Sequence, residues 1–116
     1  MDPDKIIPDW ARGLDCPITV CDHRCRIIYM NDASRRLYHK HGDLIGADLM
    51  ACHNERSQDI IRRLLTEGGV NVYTIEKRGV RKLIYQSAWL REDGTVGGVA
   101  EISIVLPPEM PHYVRE

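Results

Sequence analysis

Residues 70–106 contain no helical period. VNVYTIEK, VRKLIYQSAWL and VGGVAEISIVL are three runs of strand type, broken by Arg78-Gly79 and by Glu92-Asp93-Gly94. β-Branched and aromatic residues dominate these runs, and Asp-Gly between two of them is a strong hairpin signal. The first half is organised differently. Pro17 opens ITVCD, Asp22-His23-Arg24 reads as a tight turn, and CRIIYM follows as a second strand. Asn31 then offers a helix cap before DASRRLYHKHG, and Gly42-Asp43 ends that element. LIG and ADLMACH suggest short helical turns, and Asn54 caps ERSQDIIRRLLTEGG. There Ile60, Ile61, Leu64 and Leu65 form one apolar face, terminated by Gly68-Gly69. Strands at both ends with helices between them predict an α+β domain and argue against a parallel α/β one.

Ahead of the first strand, Ile6, Ile7, Trp10 and Leu14 recur at near-helical spacing, with Pro8 interrupting the segment and Gly13 ending it. This predicts a short, broken amphipathic helix over residues 1–15 whose apolar stripe is buried on the domain or on another chain. In the fourth strand Leu83, Tyr85, Ser87 and Trp89 alternate with Ile84, Gln86, Ala88 and Leu90. Both sets are mostly apolar, so both sheet faces are expected to be covered. Helices would take one face, and the N-terminal helix or a second protomer the other, which makes Ile6, Ile7, Trp10 and Leu14 candidate dimer contacts. In the last strand, simple alternation turns Glu101 and Ser103 to solvent and Ile102 and Ile104 to the core. The other reading places Glu101 and Ser103, with Tyr73, Tyr85, Gln86 and Ser87, where a cavity finds hydrogen bonds, and a buried Glu101 carboxylate then needs a partner.

At 116 residues the chain suffices for one domain. A net charge of -1 gives no bulk field for nucleic acid or anionic lipid, and the basic pairs Arg35-Arg36, Arg62-Arg63 and Arg81-Lys82 are scattered. No apolar run approaches the roughly twenty residues of a membrane span. The acidic, proline-interrupted N-terminus does not resemble a secretory signal, so a cytoplasmic domain is expected. Four cysteines then read best as reduced thiols. Their spacing does not match a zinc knuckle, which disfavours a metal site assembled from Cys21, Cys25, Cys52 and His53. No nucleophile-elbow, Walker or HExxH pattern is present, so the chain is not expected to be an enzyme.

The element order, with ITVCDHRCRIIYMNDAS, LIG at 44–46 and LREDGTVGGVAEIS in sequence, resembles a PAS domain over residues 18–106. The resemblance implies a five-stranded antiparallel sheet with helices packed on one face, plus the short N-terminal helix. It divides the chain into an N-terminal helix (1–15), the PAS domain (16–107) and a proline-rich tail (108–116). It also departs from the family at two places. Cys25 stands where PAS domains often carry glycine. Leu49 stands where flavin-binding photosensory members carry a reactive cysteine, so a flavin adduct is not expected.

PAS domains often leave a cavity between helices and sheet, which implies ligand sensing or protein interaction without choosing between them. Candidate pocket residues are Met30, Leu37, Met50, His53, Ile61, Leu64, Tyr73, Tyr85 and Ser87. Some haem-sensing members bind iron through a histidine on this helix or near its start, which makes His53 the candidate haem ligand. A lone histidine near a helix start is, against that, more often a cap or a surface residue. The cofactor therefore stays open. One expectation is a sensory domain that binds a small, mostly apolar ligand or haem and transmits its state through a dimer or a signalling partner, in cis or in trans. The competing expectation is a ligand-free interaction module.

Overall fold

Five strands pair antiparallel in the spatial order β2-β1-β5-β4-β3 in the computed structural model, which describes residues 7–116. In chain order these are α1 (Asp9–Arg12), β1 (Ile18–Asp22), β2 (Ile27–Met30), α2 (Asp32–Leu37), α3 (Glu55–Glu67), β3 (Val70–Lys77), β4 (Val80–Leu90) and β5 (Val96–Leu106). Two 3-10 turns, His39–His41 and Leu49–Cys52, lie between α2 and α3. The α+β, five-stranded antiparallel expectation is the observed architecture. No helix among the described residues is long and apolar enough to cross a membrane.

Local chemistry sets each junction. The Asp22 side chain accepts from the backbone N–H groups of Arg24 and Arg26 and closes the β1–β2 turn. Cys25, within that turn, takes a left-handed φ of 62°, the conformation for which glycine is ordinarily favoured. The Arg78-Gly79 turn has positive φ at both positions, the twist that suits a two-residue hairpin. Helix α3 is capped by the Asn54 side chain, which accepts from Ser57 N–H, and stops at Gly68.

Asn31 does more than cap α2. Its Oδ1 accepts from Ser34 N–H at 3.0 Å and from Ile18 N–H at 2.9 Å. Its Nδ2 donates to the carbonyls of Cys16 at 2.9 Å and Leu14 at 3.3 Å. One fully buried side chain thus ties the N-terminal segment, the first residue of β1 and the start of α2.

Helices α2 and α3 pack on one face of the sheet, where Leu64 meets Cys21 and Val99 and Ile61 is fully buried. Cross-strand register defines that inner face: Asn71 pairs with Gln86, Gln86 with Glu101, Glu101 with Thr19, and Thr19 with Met30. Glu101 therefore lies on the helix side, opposite to what simple alternation suggests. Ile102 and Ile104 lie on the outer face with Tyr85, Ser87 and Val72.

Among the described residues that outer face stays partly open, which leaves a second protomer as the cover the sequence reading allowed: Val72 is 47% exposed and Ile104 38%. Helix α1 sits instead beside the start of α2, held by the Arg12–Asp32 ion pair at 3.0 Å, and Trp10 is 73% exposed. Of the outer-face side chains, Trp89 is the exception in reach. Its Nε1 donates to the Cys21 carbonyl of β1 at 3.0 Å, across β5. A Cβ on Gly97 would lie 2.1 Å from the indole, and one on Gly98 would lie 1.9 Å from that carbonyl.

Asn31→Ala removes a helix cap worth ~1 kcal/mol and strands buried backbone groups at ~1–3 kcal/mol each. Urea denaturation is expected to show a loss of about 2–4 kcal/mol. Asn31→Asp keeps the acceptor but turns a carboxylate on two carbonyls, so it too should lower the midpoint; an unchanged midpoint in both variants would remove Asn31 from this role.

Burial pushes the Cys21 thiol from 9.0 up to about 11 and raises Cys25 in the same direction. The unfolded chain then gives up the Cys21 proton at lower pH than the folded one. The stabilisation is complete below pH 9.0 and declines as pH rises toward about 11. The thermal midpoint measured from pH 8 to 10.5 should therefore fall more steeply in the parent protein than in Cys21→Ala.

Candidate functional site

Between the inner face of the sheet and the segment joining α2 to α3 lies a cavity of about 400 Å³. Thr19, Ile27, Met30, Tyr38, His41, Leu44, Leu49, His53 and Glu101 line it. Volume and composition match small-molecule sites, which run to ~300–1,000 Å³ and combine an apolar wall with a few convergent polar groups. A second depression, about 680 Å³, is an open surface groove between α3 and β3. There Glu55 and Asp59 alternate with Arg56 and Arg63, so opposite charges largely cancel and the groove offers little to a single ligand.

The cavity roof is fixed to α3 by Gln58, whose Nε2 donates to the carbonyls of Met50 at 3.0 Å and His53 at 2.9 Å. This holds the Leu49–Cys52 turn and presents Leu49 and His53 to the interior. The His53 Nδ1 lies 2.8 Å from the Leu49 carbonyl. A carbonyl can only accept, so Nδ1 carries a proton and Nε2 is the ring atom left to act as acceptor or ligand.

From the polar row of the sheet, Thr19 and Glu101 reach the cavity floor. Asn71 Nδ2 donates to Gln86 Oε1 at 2.9 Å, and Gln86 Nε2 donates to Glu101 Oε1 at 2.9 Å. Thr19 Oγ1 and Ser34 Oγ share a buried hydrogen bond of 2.6 Å. Burial and the nearby Glu101 carboxylate together raise the Tyr73 phenol above its ordinary value.

Of the residues singled out from sequence, Met30 and His53 line this cavity. Ile61 and Leu64 are buried beside it in the core, and Met50 is half-buried in the 3-10 turn outside the lining. Tyr73 is on the inner face but at the exposed β3 edge. Leu37 is 44% exposed on α2, and Tyr85 and Ser87 project from the opposite face of the sheet, so none of these three faces the cavity. Ile7 lies in a small depression with Arg12, Tyr29 and Asp32, Leu14 is exposed, and Ile6 lies outside the described residues. Thr19, Ile27, Tyr38, His41, Leu44 and Leu49 line the cavity without having been singled out, and His41 does so while remaining exposed. The signal for Glu101 existed: a carboxylate inside an apolar strand wants a partner, and Gln86 and Asn71 hold matching places in β4 and β3.

Leu49 belongs to the apolar wall of the cavity. Among the described residues no cluster of three or more His, Cys, Asp or Glu side chains could hold a metal ion. Haem fits the donor set only in part. His53 Nε2 is suitable as an axial ligand. The lining, however, offers no Arg or Lys for two propionates and already contains the Glu101 carboxylate.

The chain matches no family model and no curated protein. Solved structures do match. The PAS domain of the histidine kinase ThkA aligns with a TM-score of 0.64 at 16% identity, over 78% of this chain and 99% of that one. The Aer2 receptor from Vibrio cholerae, described as a dual PAS-haem oxygen sensor, aligns with a TM-score of 0.59 at 14% identity, over 84% of this chain and 99% of that one. The VqmA dimer of Vibrio cholerae aligns with a TM-score of 0.67 at 15% identity, over 93% of this chain but only 54% of that one. At these identities the likeness concerns architecture, and the architecture is unambiguous: this chain has the PAS fold.

Proposed function

We propose that this chain is a sensory domain whose cavity takes a small, mostly apolar ligand and whose bound state is passed on through a dimer or a partner protein. The carrying observation is the 400 Å³ cavity, where Ile27, Met30, Leu44 and Leu49 form an apolar wall around Thr19, His53 and Glu101. In this reading residues 16–107 are the sensory domain, 1–15 an interaction segment and 108–116 a tail. The domain works in the cytoplasm, in keeping with the free thiols Cys16, Cys21 and Cys25. Nothing in the cavity pairs a nucleophile with a base, and no catalytic role is assigned to it.

A ligand changes a signalling state only through different affinities for two conformations. The segment carrying Leu49 and His53 forms one wall and the sheet the other, so occupancy bears directly on how helices and sheet pack. Haem is the less suitable occupant, for want of basic groups opposite its propionates. Denatured protein is expected to release a small molecule detectable by mass spectrometry, without a Soret band in the native sample. Leu49→Trp, which fills the cavity, should abolish that release. If the parent protein yields no molecule and binds none from a fragment set, the ligand reading fails.

The open apolar sheet face supports self-association. Val72, Tyr85 and Ile104 are exposed together there, and α1 leaves Trp10 exposed beside α2. The VqmA structure, similar in fold, is described as a dimer. We place the dimer contact on this face and on the N-terminal segment. Sedimentation equilibrium should show a concentration-dependent dimer that Tyr85→Arg and Val72→Lys weaken at least ~10-fold, given the cost of burying an unpaired charge. A monomer at all concentrations would overturn this contact and leave the cavity reading standing.

A further inference from the structure

We infer that the cavity selects a ligand with a protonated nitrogen, received by the Glu101 carboxylate. This deepens the ligand reading above and rests on it. Glu101 is the one carboxylate in the lining, and no Arg or Lys accompanies it. No ion pair within 4.0 Å involves it among the described residues. Its position is imposed by the sheet: β5 pairs it with Gln86 on one side and Thr19 on the other, on the helix-covered face.

The hydrogen bonds around Glu101 have a direction. Asn71 donates to Gln86, and Gln86 donates to one Glu101 oxygen. The carboxylate is the terminal acceptor of that chain, and its other oxygen has no hydrogen-bond partner among the described residues. Thr19, the adjacent residue in the row, has its hydroxyl engaged with Ser34. The titratable groups facing Glu101 from other elements are His41, His53 and Tyr38 across the cavity and Tyr73 on β3. Neither histidine is within ion-pair distance of it, and the His53 Nδ1 proton is committed to the Leu49 carbonyl.

Beside its one neutral donor, this half-buried carboxylate offers a ligand a free acceptor oxygen, and a cationic N–H takes it best, because charge-assisted bonds are the stronger ones. An anionic ligand would meet repulsion at the same point. The apolar wall of Ile27, Met30, Leu44 and Leu49 then accommodates the rest of the molecule. The chemical class is a small amine or amidine carrying an aromatic or branched aliphatic body.

Benzylamine, benzyl alcohol and benzoate are probes of nearly one shape that differ in charge. Each is titrated at pH 7 into the isotopically labelled full chain, following the amide shifts of Thr19, Met30 and His53. Benzylamine is expected to bind at these residues at least ~10-fold more tightly than benzyl alcohol, with benzoate weaker still. Glu101→Gln should erase the preference of amine over alcohol. Equal affinity for amine and alcohol, or a preference that survives Glu101→Gln, would overturn the inference and leave the ligand cavity in place. If no probe shifts the cavity residues, the cavity reading itself falls and the inference with it. The comparison of amine and alcohol on the parent protein decides the matter even where Glu101→Gln does not fold.

Discussion

Everything near the cavity hangs from Asn31. Its amide is committed to four backbone groups drawn from three segments, and all four are made inside the protein. The immediate neighbours of those groups line the cavity. Met30 precedes Asn31 and Thr19 follows Ile18, so the same anchor fixes two cavity-lining side chains. Asp would cap α2 but has no proton to donate to Leu14 and Cys16, and Ser has a single O–H for two carbonyls. The requirement for an acceptor together with two donated bonds favours asparagine.

The sheet divides its chemistry between two faces in an unusual sense. The covered face carries a polar row, Asn71-Gln86-Glu101-Thr19, while the face open to solvent carries Val72, Tyr85, Ile102 and Ile104. A polar row beneath helices is costly unless each member finds a partner, and here the partners are one another and Ser34. Bonds made laterally from strand to strand end on Glu101, which lines the cavity. The open apolar face is the complement: residues that could have filled an interior are directed outward, where a second surface can meet them.

Much of this was legible in the sequence. The turn signals, the Asn31 and Asn54 caps and the apolar period of α3 placed the elements correctly, because each signal is local and each has one dominant structural outcome. Which face of β4 and β5 is inward was not legible. Ile84 and Tyr85 are both large, Gln86 and Ser87 both polar, and alternation assigns a face only when the two sets differ. Extra length in β5 at Gly97-Gly98, opposite Trp89, shifts parity further. The cavity roof was equally hidden. Leu44, Leu49 and His41 reach it through irregular chain whose path is set by tertiary bonds such as those from Gln58. Leu37, on a helix of only six residues, had too short a period to reveal its exposed side.

Trp89 lies across β5 where two successive glycines leave room for it, and its indole hydrogen-bonds to β1. A sliding movement of β4 along β5 would bring a side-chain-bearing residue beneath the ring and break the bond to Cys21. The central strands are thereby pinned in one alignment, like a bolt through three plates. Adjustment to a guest must come from the irregular segment above, which holds its place through a few side-chain bonds. The sheet is the fixed wall of the cavity, and in the proposed ligand reading its roof is the side that yields.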